Sequence, residues 1–358
     1  EKEGIELEKL EEQLTPENLK AWMERLKFGK FNGSDKWDVE ITPLEGEVVY
    51  VSAVQNSLLK EPRISKNIPT VAKCTQGEVV LFAADACTRM GEDGSVVLVE
   101  GREETINFMP TEFRFCLTMS DMQVIGKRRA VQRVVAEALK LKESGKSPSE
   151  ALTEAVTKLA EPEEAKPAPE EAKPAEEAAP AAAEAPAEAP AAEEAKPAEG
   201  GGEPTWAVLE PQDDIASKTC VEFLEQSAAK DAFIKLSETE TQLTVDRDAK
   251  DADALKAGIV FAQSKGVLKE IEPAPYTMID VMGKTASEVA EVMVKAMGEK
   301  AETGCVMVLV GLSGTGKGTT MDKLKAMLPK ATTWSNGNIF RSLTLLACQH
   351  CEKEGIEL

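Results

Sequence analysis

The residues with the plainest chemical potential are Gly311, Ser313, Gly314, Thr315, Gly316, Lys317, Gly318 and Thr319, which fall within one short stretch of a 358-residue chain. Glycines at that density let the backbone curl until successive N–H groups face one point, and a helix beginning there adds the positive end of its dipole. Lys317 then places a point charge where the β- and γ-phosphates of a nucleotide would lie. The chemistry implied is the holding of a triphosphate. Gly318 stands where the strict phosphate-loop pattern has Ser or Thr, and Thr319 supplies a hydroxyl one residue later.

Such a loop needs a buried strand to feed it and a helix to leave it. The apolar run Cys305 to Val310 reads as that strand, and Thr285 to Ala301 as an amphipathic helix leading into it. Ser95 to Val99, Phe113 to Thr118 and Tyr276 to Val281 are further strand candidates, the first two at a βαβ-like interval. Lys36 to Ile41 and Glu47 to Ser52 read as a hairpin. Helices are expected over Thr15 to Leu26, Ile68 to Cys87, Ser120 to Lys142, Pro148 to Ala160 with Ser147 as N-cap, Ile215 to Lys235, and Lys250 to Lys265. The fold class expected is α/β, a parallel sheet flanked by helices.

Composition narrows the partners. A formal charge of -21 argues against nucleic acid held by its backbone, because phosphate neutralisation needs a basic face. No apolar run reaches the length of a membrane span, and nothing at the N-terminus reads as a signal peptide. Seven scattered cysteines suit a reducing compartment, so a cytoplasmic setting is expected. Cys348 and Cys351 have CxxC spacing around the single histidine, His350, but no second pair accompanies them, and metal binding is not expected. One histidine without a partner motif also argues against a Ser-His or Cys-His hydrolase.

Two features concern organisation. The opening residues Glu1 to Leu7 repeat as Glu352 to Leu358, which leads to the expectation of one period cut from a tandem array, covalently linked to further copies. Between Glu161 and Gly202 the sequence reduces to Ala, Pro, Glu and Lys, a composition that buries no core and is expected to form a disordered linker. The division expected is residues 1–160, the linker 161–202, a small helical insertion at 203–270, and residues 271–358.

The Gly-Lys-Gly-Thr form of the loop is similar to that of the nucleoside monophosphate kinases. The run Val99, Glu100, Gly101, Arg102, Glu103 through Pro110, with the strand at Phe113, resembles the Asp-Gly-Arg-Asp segment and following strand of cytidylate kinases. Asn336 to Leu346 resembles the helix opening that family's acceptor region, Tyr276 to Ala296 its last strand and helix, and the hairpin at 36–52 its small inserted sheet. The likeness covers most of the chain outside about 161–240 in permuted order, so residues 1–160 would hold the acceptor region, central strands and lid-like helices.

The resemblance implies transfer of the γ-phosphoryl of ATP to CMP, dCMP or UMP with Mg²⁺, reached through the nucleotide near Thr319 and not through a protein cluster. It implies that Lys317 and the loop amides hold ATP, that Arg341, Arg102, Glu103 and Asn336 bind the acceptor, and that Arg128 and Arg129 spread over transferring charge. Arg247 and Lys250 are the only later cations resembling the family's arginine pair, and Ser335 stands where the family has Asp. These departures leave a second expectation open, a catalytically degenerate nucleotide-binding repeat of a scaffold. An adenylate-kinase-like acceptor helix also fits Ser335 to Arg341, against which the Glu100 to Glu103 segment argues.

Overall fold

The computed structural model describes residues 9–161, 203–212 and 214–356. The first copy of the terminal heptapeptide, the end of the second, and the Ala/Pro/Glu tract from residue 162 lie outside the described residues.

In chain order the principal elements are α1 (Pro16–Met23), β1 (Leu26–Lys30), β2 (Trp37–Ile41), β3 (Val49–Tyr50), α2 (Pro62–Glu92), β4 (Val96–Glu100) and β5 (Phe113–Thr118). Then come α3 (Gln123–Lys142), α4 (Pro148–Ala160), α5 (Asp214–Gln226), α6 (Lys230–Ser264) and β6 (Thr277–Asp280). The chain closes with α7 (Ala286–Met297), β7 (Cys305–Gly311), α8 (Lys317–Met327), β8 (Ala331–Trp334) and α9 (Asn336–Glu354). By its internal contacts it divides into two units, residues 1–118 with 248–358, and residues 119–247.

The first unit is built on a five-stranded, all-parallel sheet in the order β6-β5-β7-β4-β8. Its central strands are apolar on both faces because both faces are covered by helices. Along β7, Met307 and Leu309 join the core with Val289 and Met293 of α7 and Leu324 of α8. The alternate residues Val306, Val308 and Val310 face Ala83, Cys87 and Met90 of α2. A second, antiparallel sheet of order β1-β2-β3 carries the expected hairpin, with Ile41 opposite Val49. Helix α9 packs against α2 and the segment from Leu10 to Leu26, sharing a core that includes Trp22, Ile64, Val71, Leu343 and Leu346.

The second unit is helical. Val134 of α3, Leu152 and Val156 of α4, Leu224 of α5 and Phe233 of α6 form its core. Helix α4 starts as the sequence indicates, with Pro148 in the first turn and Ser147 and Glu150 forming a reciprocal capping box.

Several helix boundaries differ from the sequence expectation: the helix expected over 68–87 runs from Pro62 to Glu92, and the one expected over 285–301 ends at Met297, where Gly298 takes φ 55°. The first helix ends at Met23, and Leu26 opens β1, a strand the sequence reading did not give. The helix expected over 215–235 is broken at residues 227–229, where the Ser227 hydroxyl donates to the Leu224 carbonyl at 3.0 Å and accepts from the Ala229 N–H at 3.1 Å. That local hydrogen bonding gives the backbone an alternative to the helix ladder. The helix expected from Lys250 starts twenty residues earlier, at Lys230, and runs unbroken to Ser264.

Candidate functional site

The glycine-rich loop leaves the carboxyl end of β7, the central strand of the parallel sheet. Helix α8 carries the chain from β7 to β8 on the β4 side, whereas the strand after β5 in sequence, β6, lies on the opposite side. Diverging connections of that kind leave a crevice beyond the strand ends, the usual place for a ligand in an open parallel sheet. Two glycines are required by the geometry. A Cβ on Gly311, at φ 147°, would lie 2.6 Å from the Leu117 carbonyl oxygen, and Gly316 caps α8 at φ 85°, in the left-handed region.

The loop is stabilised from within. The Thr315 hydroxyl donates to the Leu312 carbonyl at 2.8 Å, and the Lys317 ammonium donates to the same oxygen at 3.2 Å. Lys317 also stands 4.0 Å from the carboxylate of Glu100, at the end of β4. Gly314 takes φ 88°, while Gly318 and Thr319 sit exposed in the first turn of α8. The curled amides, the helix start and Lys317 are donors suited to an anion of several oxygens. The Thr319 hydroxyl and Glu100 carboxylate are hard oxygen donors of the kind that fits Mg²⁺ alongside phosphates.

Arg102 follows β4 directly, and the structure brings it to the loop. Its Nη2 donates to the Asp248 carboxylate at 2.8 Å and to Asp251 at 3.3 Å, and lies 3.5 Å from the Ser313 hydroxyl. Asp248 in turn accepts the Ser313 backbone N–H at 2.7 Å and its hydroxyl at 2.8 Å. Burial alone would raise the Asp248 carboxyl, but hydrogen bonds from Arg102 and Ser313 outweigh it and hold the group well below the usual carboxylate range. The same contact raises Arg102, through its bond to Asp248. Sequence reasoning singled out residues 246–250 for their cations and missed this carboxylate. The available signal was helical spacing, since Asp248 lies on one face of α6 with Leu255, Gly258, Ile259 and Ala262.

The other expected acceptor residues are spread over two places. Glu103 is exposed at the start of a short helix, Glu103–Ile106. At the start of α9, Asn336 accepts from the Trp334 indole N–H at 2.8 Å, and the buried Arg341 donates to Asn338 at 3.2 Å. Burial lowers the Arg341 pKa. Beside this helix start is a cavity of about 420 Å³ walled by Phe28, Trp37 and Trp334, with Asp38, Gln55 and Asn338 as polar lining. Its ring walls are ordered, with Phe28 stacked on Trp37 at 4.8 Å between centroids.

Arg128, Arg129 and Arg247 all belong to the second unit. Arg128 and Arg247 are exposed, whereas Arg129 is half-buried with its Nε lacking a hydrogen-bond partner. Cys348 and Cys351 are buried on α9, with burial pushing the Cys348 thiol up to about 11. Among the described residues no group of three His, Cys, Asp or Glu side chains is placed to hold a metal, and no helix is long and apolar enough to cross a membrane.

No family model, curated protein or solved structure matches this chain.

Proposed function

We propose that this chain is a nucleoside monophosphate kinase of the cytidylate kinase type, transferring the γ-phosphoryl of ATP to CMP, dCMP or UMP. The observation that carries the reading is the convergence, at the carboxyl ends of two adjacent central strands, of Gly311 to Thr319, at a helix start, with Arg102. In this reading the loop amides and Lys317 hold the donor phosphates, and Mg²⁺ bound to the nucleotide neutralises charge on them. Arg102 and Arg341 grip the acceptor phosphate, whose oxygen bonds to the γ-phosphorus as the bond to the β-phosphate oxygen breaks and ADP leaves. The ring-walled cavity beside Asn336 and Arg341 offers the acceptor base a flat surface.

The test is ADP release by purified protein with ATP, Mg²⁺ and each monophosphate in turn. Turnover that requires CMP, dCMP or UMP and is lost in Lys317→Ala is the expected result. ATP binding without stimulation by any monophosphate would favour the second reading, a nucleotide-binding unit of a scaffold. That reading draws on one observation, that the Arg102 fork is already engaged by Asp248 and Asp251.

A further inference from the structure

The contacts of Asp248 are those an oxyanion would make. A carboxylate that receives a loop N–H, a loop hydroxyl and a guanidinium occupies the kind of donor set by which glycine-rich loops hold phosphate. We propose that Asp248 is a built-in occupant of an oxyanion position formed by Ser313 and Arg102, and that a nucleotide phosphate must displace it to bind there. This rests on the kinase reading above and adds to it a means of control.

Several features favour displacement over sharing. A phosphate gripped by Arg102 while Asp248 stays in place would set two anions side by side at hydrogen-bond range, an arrangement that like-charge repulsion opposes. Asp251, on the next turn of α6, sits at the same guanidinium and adds to that repulsion. The Asp248 side chain is only 3% exposed, so the position is closed to solvent while it is filled.

Within the first unit, Asp248 is anchored from its C-terminal side. The C-terminal part of α6 is fixed against α2 by close approach of small residues: a Cβ on Gly77 would lie 2.6 Å from that of Ala262, and one on Gly258 would lie 2.6 Å from Gln76. Ile259, Ala262 and Val80 complete that contact. Asp248 lies about 15 Å along the axis from Gly258, given a rise of about 1.5 Å per residue. Its hold on Ser313 and Arg102 is therefore the last fixed point of α6 in the first unit, and releasing it would loosen the turns around residue 248.

The energetic consequence is a competition. Where the binding-competent form is a minor population, the apparent affinity falls by the fraction that is open, so about 1–10% open weakens binding about 10- to 100-fold. Removing the charge of Asp248 with little change of shape should return that factor.

The experiment is calorimetric titration of ATP and, separately, of CMP into the full chain, its Asp248→Asn variant and Lys317→Ala. Which nucleotide responds tells whether the donor or the acceptor phosphate displaces the carboxylate. Binding of either at least about tenfold tighter to Asp248→Asn than to wild type supports the proposal. Unchanged or weaker binding of both, with wild type still binding ATP in a Lys317-dependent way, overturns the proposal and leaves the kinase reading standing. No ATP binding by wild type or Asp248→Asn overturns both. If Asp248→Asn does not fold, hydrogen exchange on wild type decides: saturating nucleotide should speed exchange of the amides at 244–252 about tenfold. Unchanged or slower exchange there would overturn the displacement.

Discussion

Two arginines next to the same sheet are held in opposite ways. Arg102, at the loop mouth, is 26% exposed on its side chain and is gripped by carboxylates. Arg114, on β5, is 2% exposed and is gripped by neutral groups: its guanidinium donates to the Met109 carbonyl at 3.2 Å, and to the Asn107 amide oxygen and the Tyr276 hydroxyl at 2.7 Å each. Its guanidinium carbon also stands 4.5 Å from the centre of the Tyr276 ring. A charge held by another charge near solvent can exchange partners with an incoming anion. One sealed among neutral acceptors has nothing to exchange with. In the reading proposed above, the difference separates a ligand-responsive site from a strut, and the substitutions below act on one side of it or the other.

The largest effect is expected at Arg114. Arg114→Ala removes a buried stem and three hydrogen bonds, and should cost about 3–4 kcal/mol in urea unfolding, as for a large-to-small change with lost polar contacts. The Tyr276 hydroxyl keeps its own bond to Asn107 at 2.9 Å, so the cradle is not left wholly unsatisfied. Arg114→Met, which refills the volume, should cost less than half as much, because the Arg114 Nε is already buried without a partner. ATP affinity of the folded fraction should be unchanged in both. A loss of affinity would place Arg114 on the ligand side of the comparison.

A smaller stability cost and a larger binding cost are expected at Arg102. Solvent screens the partly exposed guanidinium, so Arg102→Ala should cost about 1–2 kcal/mol, most of it from leaving Asp248 buried without its cation. In the kinase reading the same change should raise KM for the monophosphate at least tenfold, the converse of the Arg114 result. Stability lost without any change in KM would make Arg102 a strut as well.

A third expectation concerns acid. The folded-state pKa of Asp248 is depressed below its unfolded value, so the stability it contributes is fully present above the unfolded value, about pH 4, and is lost as pH falls toward the folded value. Wild type should therefore lose more stability than Asp248→Asn between about pH 5 and pH 3 in parallel urea titrations. Curves of equal slope would mean that the carboxylate is not held as its contacts indicate.

The parts legible in the sequence were those whose signal is local. An apolar run before a glycine cluster located β7 and the loop, and Ser147 ahead of Pro148 marked a helix start, which the structure completes as a capping box with Glu150. What was not legible depends on partners far away in the chain. Gly77 counts against a helix by propensity, yet it lies within α2 because Ala262 crosses there too closely for a side chain. Asp248 reads as one acid among many in an acidic chain until the fold sets it beside Ser313, sixty-five residues away. Arg114 interrupts a strand of apolar residues, and the acceptors at Met109, Asn107 and Tyr276 account for it.

The smallest effect is expected where the loop departs from the strict motif. A Cβ at Gly318 meets nothing within 4 Å, so no steric demand of the fold requires glycine there. Gly318→Ser places a better helix former in the first turn of α8 and should leave stability unchanged or raise it by a few tenths of a kcal/mol, about what helix propensity predicts. Gly311 is the contrast, since the Leu117 carbonyl excludes a side chain from that position. If Gly318→Ser also leaves ATP affinity within about threefold of wild type while Arg102→Ala does not spare monophosphate binding, the hydroxyl of Thr319 suffices for the loop. A tenfold gain from the added hydroxyl would instead mean that Gly318 itself limits how tightly the phosphates are held.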